Sequence, residues 1–362
     1  MRNSTFIAFL FLSSSVFLLP SCAEDKAPKA LRSSLSQLEF NSPGPGAKFL
    51  FGDTIIFDLQ QIKEEEKVVE GISLYINGEL MHEEKGDRMH YAYPSDIGSG
   101  GELKIKGVVK YTDGTSSRRR MEIKVLSPEK AEKMTYQLVN SYPHDPTSYT
   151  QGLIYDTKEG LLFEGTGNYT ESRLLKFKVG AELPEMTIPI PDQYFGEGIT
   201  LLHDTIFQLT YQNKKGFFYD RNFKKLGEFT YPSEGWGLTT DGKHLIMSDG
   251  SANLFYINPT TFQIEKTVQV FNEKGLMYYI NELEYVDGII YANIYQTDLI
   301  AKIDAHSGQL LALIDMKGIL DKKQVNGKID VLNGIAYNPQ LETFYVTGKW
   351  WPKLFEVRFV KE

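Results

Sequence analysis

The residues best suited to chemistry recur at one place in a repeated string. Gln151, Glu197, Trp236, Asn281 and Asn333 each open such a string. The strings are Gln151-Gly152-Leu153-Ile154, Glu197-Gly198-Ile199-Thr200, Trp236-Gly237-Leu238-Thr239, Asn281-Glu282-Leu283-Glu284 and Asn333-Gly334-Ile335-Ala336. Their spacings are 46, 39, 45 and 52 residues. A second polar segment follows each string after 11 to 14 residues, and two of these segments carry Glu164 and Lys349. Brought to one cavity, carboxylates, an ammonium, carboxamides and an indole have the make-up of a small-molecule site, in which a few placed polar groups sit among apolar walls. A ring serving only as scaffold would tend to repeat one residue type, whereas here the repeats contribute different groups. Other chemistries find little support. The single cysteine, Cys22, excludes an intramolecular disulfide, a Cys-cluster zinc site and an iron–sulfur cluster. The six histidines are scattered without paired-ligand spacing, and no Gly-x-Ser-x-Gly elbow is present.

The repeat itself must hold these groups together. A period of 39 to 52 residues built from short strands is one four-stranded β-propeller blade. Five copies predict a five-bladed β-propeller over 135–362. The innermost strand of each blade lines the channel, so the five anchors should form a ring near one end of the axis, with Glu164 and Lys349 close to it. Ring closure requires the chain ends to share a blade, and 136–140 is expected to complete the blade containing 354–357. Residues 37–128 follow another pattern, short alternating strands joined by turns such as Asn77-Gly78 and Asp113-Gly114. That predicts an immunoglobulin-like β-sandwich, with no cluster able to carry chemistry. Composition agrees with an all-β protein: Gly (31), Tyr (21) and Phe (22) are abundant and long helical runs are absent. The formal charge of −8 leaves no basic excess for nucleic acid, and a monomer is expected.

The N-terminus reads as an address. Arg2 precedes an apolar run over 6–19 that is short for a membrane span, and Leu19-Pro20-Ser21-Cys22 resembles a bacterial lipobox. Residues 1–21 are then a lipoprotein signal peptide, Cys22 is the lipidated residue, and 22–36 is a polar tether. Ala23 stands where a retention signal for the inner membrane would place Asp. The expected location is the cell envelope, lipid-anchored to the outer membrane and facing the periplasm or the exterior.

Longer strings around the anchors narrow the function. They include Tyr142-Pro143-His144-Asp145-Pro146, Tyr149-Thr150-Gln151-Gly152-Leu153, Tyr194-Phe195-Gly196-Glu197-Gly198 and Gly235-Trp236-Gly237-Leu238-Thr239-Thr240-Asp241-Gly242. Asn281-Glu282-Leu283-Glu284, Asp330-Val331-Leu332-Asn333-Gly334 and Val346-Thr347-Gly348-Lys349 continue the series. Over about 142–357 the chain resembles the plant-type propeller glutaminyl-peptide cyclotransferases, also called glutamine cyclotransferases. The resemblance does not cover the sandwich. It implies that N-terminal glutamine of peptides or proteins cyclises to pyroglutamate with loss of ammonia, by general acid–base catalysis.

By the same resemblance Glu197 is the proton shuttle. Gln151, Asn281 and Lys349 bind the substrate amide, its oxyanion or its backbone carbonyl, and Trp236 and Phe195 are apolar walls. Tyr149 replaces a phenylalanine of the family pattern, and Tyr211 and Tyr295 replace tryptophans, which makes the pocket more polar. No cofactor is required, although a structural calcium ion in the channel is compatible with the pattern. Two other readings compete: a non-catalytic propeller lipoprotein that binds a partner, and a calcium-dependent propeller hydrolase using Glu164, Glu197, Asn281 and Asn333. The ammonium and indole among the channel groups argue against the second.

Overall fold

Strand alternation builds the N-terminal part. In Thr54–Gln61, Ile55, Phe57 and Leu59 are fully buried while the residues between them face outward, as a half-buried strand requires. The computed structural model describes residues 37–62, 67–98 and 100–362; Cys22, the signal segment and the tether lie outside the described residues. A three-stranded sheet (Leu38–Ser42, Thr54–Gln61, Arg88–Pro94) faces a five-stranded one. The latter runs in the order Lys48–Leu50, Ser116–Leu126, Gly101–Tyr111, Val69–Ile76, Glu79–Lys85. Leu38, Phe57, Leu74, Met89, Val109 and Ile123 fill the space between them. Asn77 and Gly78, at φ 52° and 96°, make the two-residue turn between Val69–Ile76 and Glu79–Lys85.

Five four-stranded blades follow. The inner strands are Thr150–Asp156, Gly196–Leu202, Leu238–Thr240, Ile280–Val286 and Leu332–Asn338, and each packs on the next to close a ring. The strand Glu132–Pro143 closes the propeller as the outermost strand of blade 5, with Leu138 opposite Val357 and Ser141 opposite Phe355. It also does something the sequence did not suggest. Its first residues, Glu132 to Met134, run parallel to Ala312 to Ile314 of blade 4, so one strand joins blades 4 and 5 into a single eight-stranded sheet. Among the described residues the only helical element is the 3-10 turn Lys322–Gln324, and no helix is long and apolar enough to cross a membrane.

The glycine after three of the anchors, Gly152, Gly198 and Gly237, has a steric cause, while Gly334 stands at φ 117°. A Cβ on Gly198 would lie 2.6 Å from the Trp236 carbonyl oxygen, and one on Gly237 would lie 2.0 Å from that of Asn281. Inner strands approach backbone to backbone here, and only glycine fits. Blade 4 has Glu282 in that place. Its carboxylate accepts the Leu153 N–H (3.2 Å) and the Ile335 N–H (2.9 Å), so it links blade 4 to blades 1 and 5. Burial, aided by neighbouring Glu284, pushes the Glu282 carboxyl well above its ordinary range, against the two backbone donors.

Candidate active site

Register breaks aim the key side chains. Pairing jumps from Thr150 to Gly152, from Gly196 to Ile199, from Ile280 to Leu283 and from Leu332 to Ile335. Gln151, Glu197, Asn281 and Asn333 therefore all sit in β-bulges, which re-aim side chains that a regular ladder would fix. A second source of residues is the turn after each blade's second strand. Those strands end at Thr166, Thr210, Ser248, Ile294 and Gly348, so the first turn residues are Gly167, Tyr211, Asp249, Tyr295 and Lys349.

The two sets meet in a cavity of about 200 Å³ lined by Tyr149, Gln151, Phe195, Glu197, Tyr211, Trp236, Asn281, Tyr295 and Lys349. That is below the ~300–1,000 Å³ usual for drug-sized ligands and suits a single amino-acid residue. A larger depression of about 860 Å³ lies on the sandwich and contains none of these residues.

The walls are aromatic and interlocked. Phe195 stands edge-on to Tyr149 (6.1 Å between ring centres) and tilted to Tyr211 (5.9 Å). Trp236 stands edge-on to Tyr295 (5.4 Å) and donates its indole N–H to Glu234 (3.2 Å). The Tyr149 hydroxyl donates to Asp330 (3.2 Å). The Lys349 ammonium lies 4.6 Å from the ring centre of Tyr149 and 5.3 Å from that of Tyr295, a cation–π pairing inside the cavity.

The two charged groups perturb each other across this space. Burial pushes the Glu197 carboxyl well above the usual carboxylate range; the Lys349 ammonium lowers it, and Glu234 raises it further. Burial pushes Lys349 down, while Glu197 and Asp330 work in the other direction. Glu197 is 4% exposed, and among the described residues it has no hydrogen-bond or ion-pair partner. A carboxyl desolvated in this way, on the wall of an open cavity, holds its proton more tightly than an exposed one and is placed to exchange it with a ligand. Gln151 is oriented by Asn333, whose Nδ2 donates to Gln151 Oε1 (3.3 Å) and to the Thr150 carbonyl (3.0 Å). The carboxamide oxygen of Gln151 is thus engaged, and its NH2 remains for a ligand acceptor.

Two expectations need correction. Asn333 does not line the cavity; it is fully buried behind Gln151. Glu164 does not face the cavity either. It is the strand residue opposite Leu153, and its carboxylate accepts from Thr150 Oγ1 (2.7 Å) and meets His144 Nε2 (3.2 Å). The reason is register. Lys349 is the first residue after its strand, and its blade-1 counterpart is Gly167, three positions beyond Glu164. The quartet proposed for a calcium site is therefore not assembled. Among the described residues no group of three or more His, Cys, Asp or Glu side chains is arranged to hold a metal. The sequence reading also passed over Glu234 and Asp330, which hold Trp236 and Tyr149. Asp330 was within reach, since it opens the quoted Asp330-Val331-Leu332-Asn333 string; Glu234 carried no repeat signal.

Comparison with known proteins places this arrangement. The family model described as glutamine cyclotransferase matches residues 108–359. The match begins within the sandwich strand Gly101–Tyr111, further upstream than the motif strings reach. A glutaminyl-peptide cyclotransferase from Arabidopsis thaliana is 39% identical over 229 residues, covering 61% of this chain and 70% of its own. The crystal structure of Myxococcus xanthus glutaminyl cyclase superposes with a TM-score of 0.60 at 30% identity, covering 64% of this chain and 100% of its own. The matched region spans well over half of the sequence and contains all nine cavity residues, and the chain belongs to the glutamine cyclotransferase family.

Proposed function

We infer that this protein is a glutaminyl-peptide cyclotransferase, converting the N-terminal glutamine of peptides or proteins to pyroglutamate with release of ammonia. The observation that carries the reading is Glu197: a buried carboxyl without a partner among the described residues, facing a residue-sized cavity that Lys349 also lines. Left unpaired, such a group is costly, and a scaffold has no use for it.

The chemistry follows from the lining. The substrate's α-amine attacks its own side-chain carboxamide carbon. A C–N bond forms, the carbonyl becomes an oxyanion, and collapse breaks the bond to the amide nitrogen. Glu197 as carboxylate accepts the proton that the amine loses and returns it to the departing nitrogen, so that ammonia leaves rather than amide ion. Proton transfer of this kind contributes roughly 10²–10⁴-fold. The Gln151 NH2 and Asn281 are the neutral donors available to the carboxamide oxygen. Lys349 supplies positive charge to the oxyanion or to the backbone carbonyl of the first residue. The aromatic walls exclude water and hold the side chain curled for ring closure.

The direct test is to incubate the soluble form lacking residues 1–22 with a Gln-initiated dipeptide and measure ammonia, with a chelator in a parallel tube. Release that survives chelation supports the reading; no release rejects it. We further propose that Cys22 is lipidated and anchors the enzyme in the envelope at the outer membrane. The support is the Leu-Pro-Ser-Cys string after the apolar run. Mass spectrometry of protein from native membranes decides it: an unmodified N-terminus at residue 22 or beyond rejects the anchor.

A further inference from the structure

Beside the cavity, on the seam of blades 1 and 5, lies a second depression of about 510 Å³ lined by Pro146, Thr147, Glu171, Arg173, Lys328 and Trp350. The two spaces share a wall. The Trp350 ring lies 4.6 Å from that of Tyr149, which lines the cavity, and Trp350 directly follows Lys349 in the chain. On the reading that the cavity takes an N-terminal glutamine, the rest of the peptide must leave it across the rim. If Lys349 meets the first residue's carbonyl, the next residues pass Trp350.

Trp350 itself is an anomaly. It is the second residue of the turn after its blade's second strand and stands at φ 60°. The same place in blades 1, 3 and 4 is held by Asn168 (φ 83°), Gly250 (φ 79°) and Gln296 (φ 63°). Small or amide residues tolerate this left-handed conformation; a bulky indole there is uncommon. The turn is fixed by the bond from the Trp350 backbone N–H to the Ser148 carbonyl (2.7 Å), and the indole floors the depression. Charge gives the depression a sign. Arg173 is bound to Asp145 (2.9 Å), and Glu171 accepts from Asn168 Nδ2 (3.4 Å). Lys328 lies 5.3 Å from the Trp350 ring centre and, among the described residues, has no carboxylate partner.

We propose that this depression is the subsite for the peptide chain immediately after the N-terminal glutamine. Trp350 is the surface that chain crosses, and Lys328 favours an acidic group within its first residues. The inference rests on the cyclotransferase reading and adds the class of substrate to it.

The test compares kcat/KM of the full-length protein for glutamine amide, Gln-Ala-Glu-amide and Gln-Ala-Lys-amide, by ammonia release at low salt. An exposed ion pair changes a rate ratio by about 1.5- to 5-fold, so the acidic tripeptide should lead the basic one by that factor. Lys328→Glu should invert the order. Trp350→Asn keeps a residue type the turn already accepts in blade 1, and should lower the tripeptide-to-glutamine-amide ratio by about 3- to 10-fold. Equal rates for the two tripeptides, or a preference that survives Lys328→Glu, overturns the subsite. Because Lys328 is exposed, that variant decides the matter even if Trp350→Asn fails to fold. Absence of turnover with all three compounds overturns the cyclotransferase reading, and the subsite with it.

Discussion

Replacing Glu197 by Gln separates a catalytic carboxyl from a structural one. Gln is nearly isosteric and still hydrogen-bonds, but it does not exchange a proton near neutral pH. The two acids that hold the cavity walls offer no substitute, since Glu234 is bound to Trp236 and Asp330 to Tyr149. Turnover should therefore fall by at least ~10²-fold and up to ~10⁴-fold, about 2.7–5.4 kcal/mol of barrier at ~1.36 kcal/mol per tenfold. KM should change much less. Stability should move in the opposite sense. Burial holds the folded-state pKa of Glu197 well above the ordinary carboxyl value of 4.5, so the native state holds its proton to higher pH than the unfolded chain does. The stability that this contributes is complete below 4.5 and is lost as pH rises through the raised value. Above the raised value the wild type carries the penalty of a buried charge and the glutamine variant carries none. Glu197→Gln should then melt no lower than wild type at pH 8, with a smaller difference near pH 5. The assay is ammonia release from a Gln-initiated dipeptide and a thermal melt on the same preparation. Turnover within threefold of wild type refutes the shuttle. A large loss of turnover with a lower melting temperature refutes the argument from burial.

Three further outcomes are expected. The acid limb of the kcat/KM profile should lie well above pH 4.5, and Lys349→Met should move it higher still, because the Lys349 ammonium holds the Glu197 pKa down; a limb that stays put or moves down contradicts this. Asn333→Leu leaves the Thr150 carbonyl and Gln151 Oε1 without their donor, at a cost of about 1–3 kcal/mol of stability, and frees the Gln151 amide to turn; urea melts and a kcat/KM about tenfold lower are the readouts. Glu164→Gln should cost about 3–5 kcal/mol at pH 6, as expected for breaking a buried ion pair. Burial alone would push His144 down, but Glu164 and the Trp351 carbonyl hold its pKa above 6.5; that stabilisation is complete below 6.5 and fades as pH rises through the raised value, so melts at pH 6 and pH 9 should show the gap narrowing.

The parts of this protein that repeat could be read from its sequence. Five strings of anchor residue and strand fix blade number and period; four carry a glycine, which in blades 1, 2 and 3 is explained by the 2.0–2.6 Å backbone clashes that a Cβ would meet. The cavity lining was legible where each residue belongs to such a string or replaces a family aromatic, as Tyr211 and Tyr295 do. Departures from the repeat were opaque. Glu164 looked equivalent to Lys349 because both sit near a Gly, yet strand ends place them three positions apart, one inside a ladder and one on a turn. Asn333 shares its bulge with the other anchors, but whether its amide enters the cavity or folds back onto Thr150 depends on a neighbouring blade. The double pairing of Glu132–Pro143 depends on where blades 4 and 5 meet, and no local pattern records that.

Three buried glutamates, one on each of three blades, show how role follows from partners rather than from burial. Glu164 has an imidazole and two hydroxyls within reach, from His144, Ser148 and Thr150 on the segment that carries Tyr149 and Gln151. Both of its oxygens have a use in holding this segment to blade 1, and His144 carries the link on to the Trp351 carbonyl of blade 5. Glu282 has two backbone N–H groups on two other blades, and its removal would leave those donors orphaned in the channel. Glu197 is as deeply buried, yet among the described residues it has neither kind of partner, and the positive charge that acts on it belongs to Lys349, itself held down by burial. Folding gains nothing from such a pair, because each group is desolvated without a direct contact in return. An arrangement that costs stability and satisfies no backbone persists where a ligand completes it. The missing partner must bring a proton to exchange with Glu197 and an acceptor for Lys349 within a volume of about 200 Å³. An N-terminal glutamine, with its α-amine a few bonds from its own carboxamide, carries both.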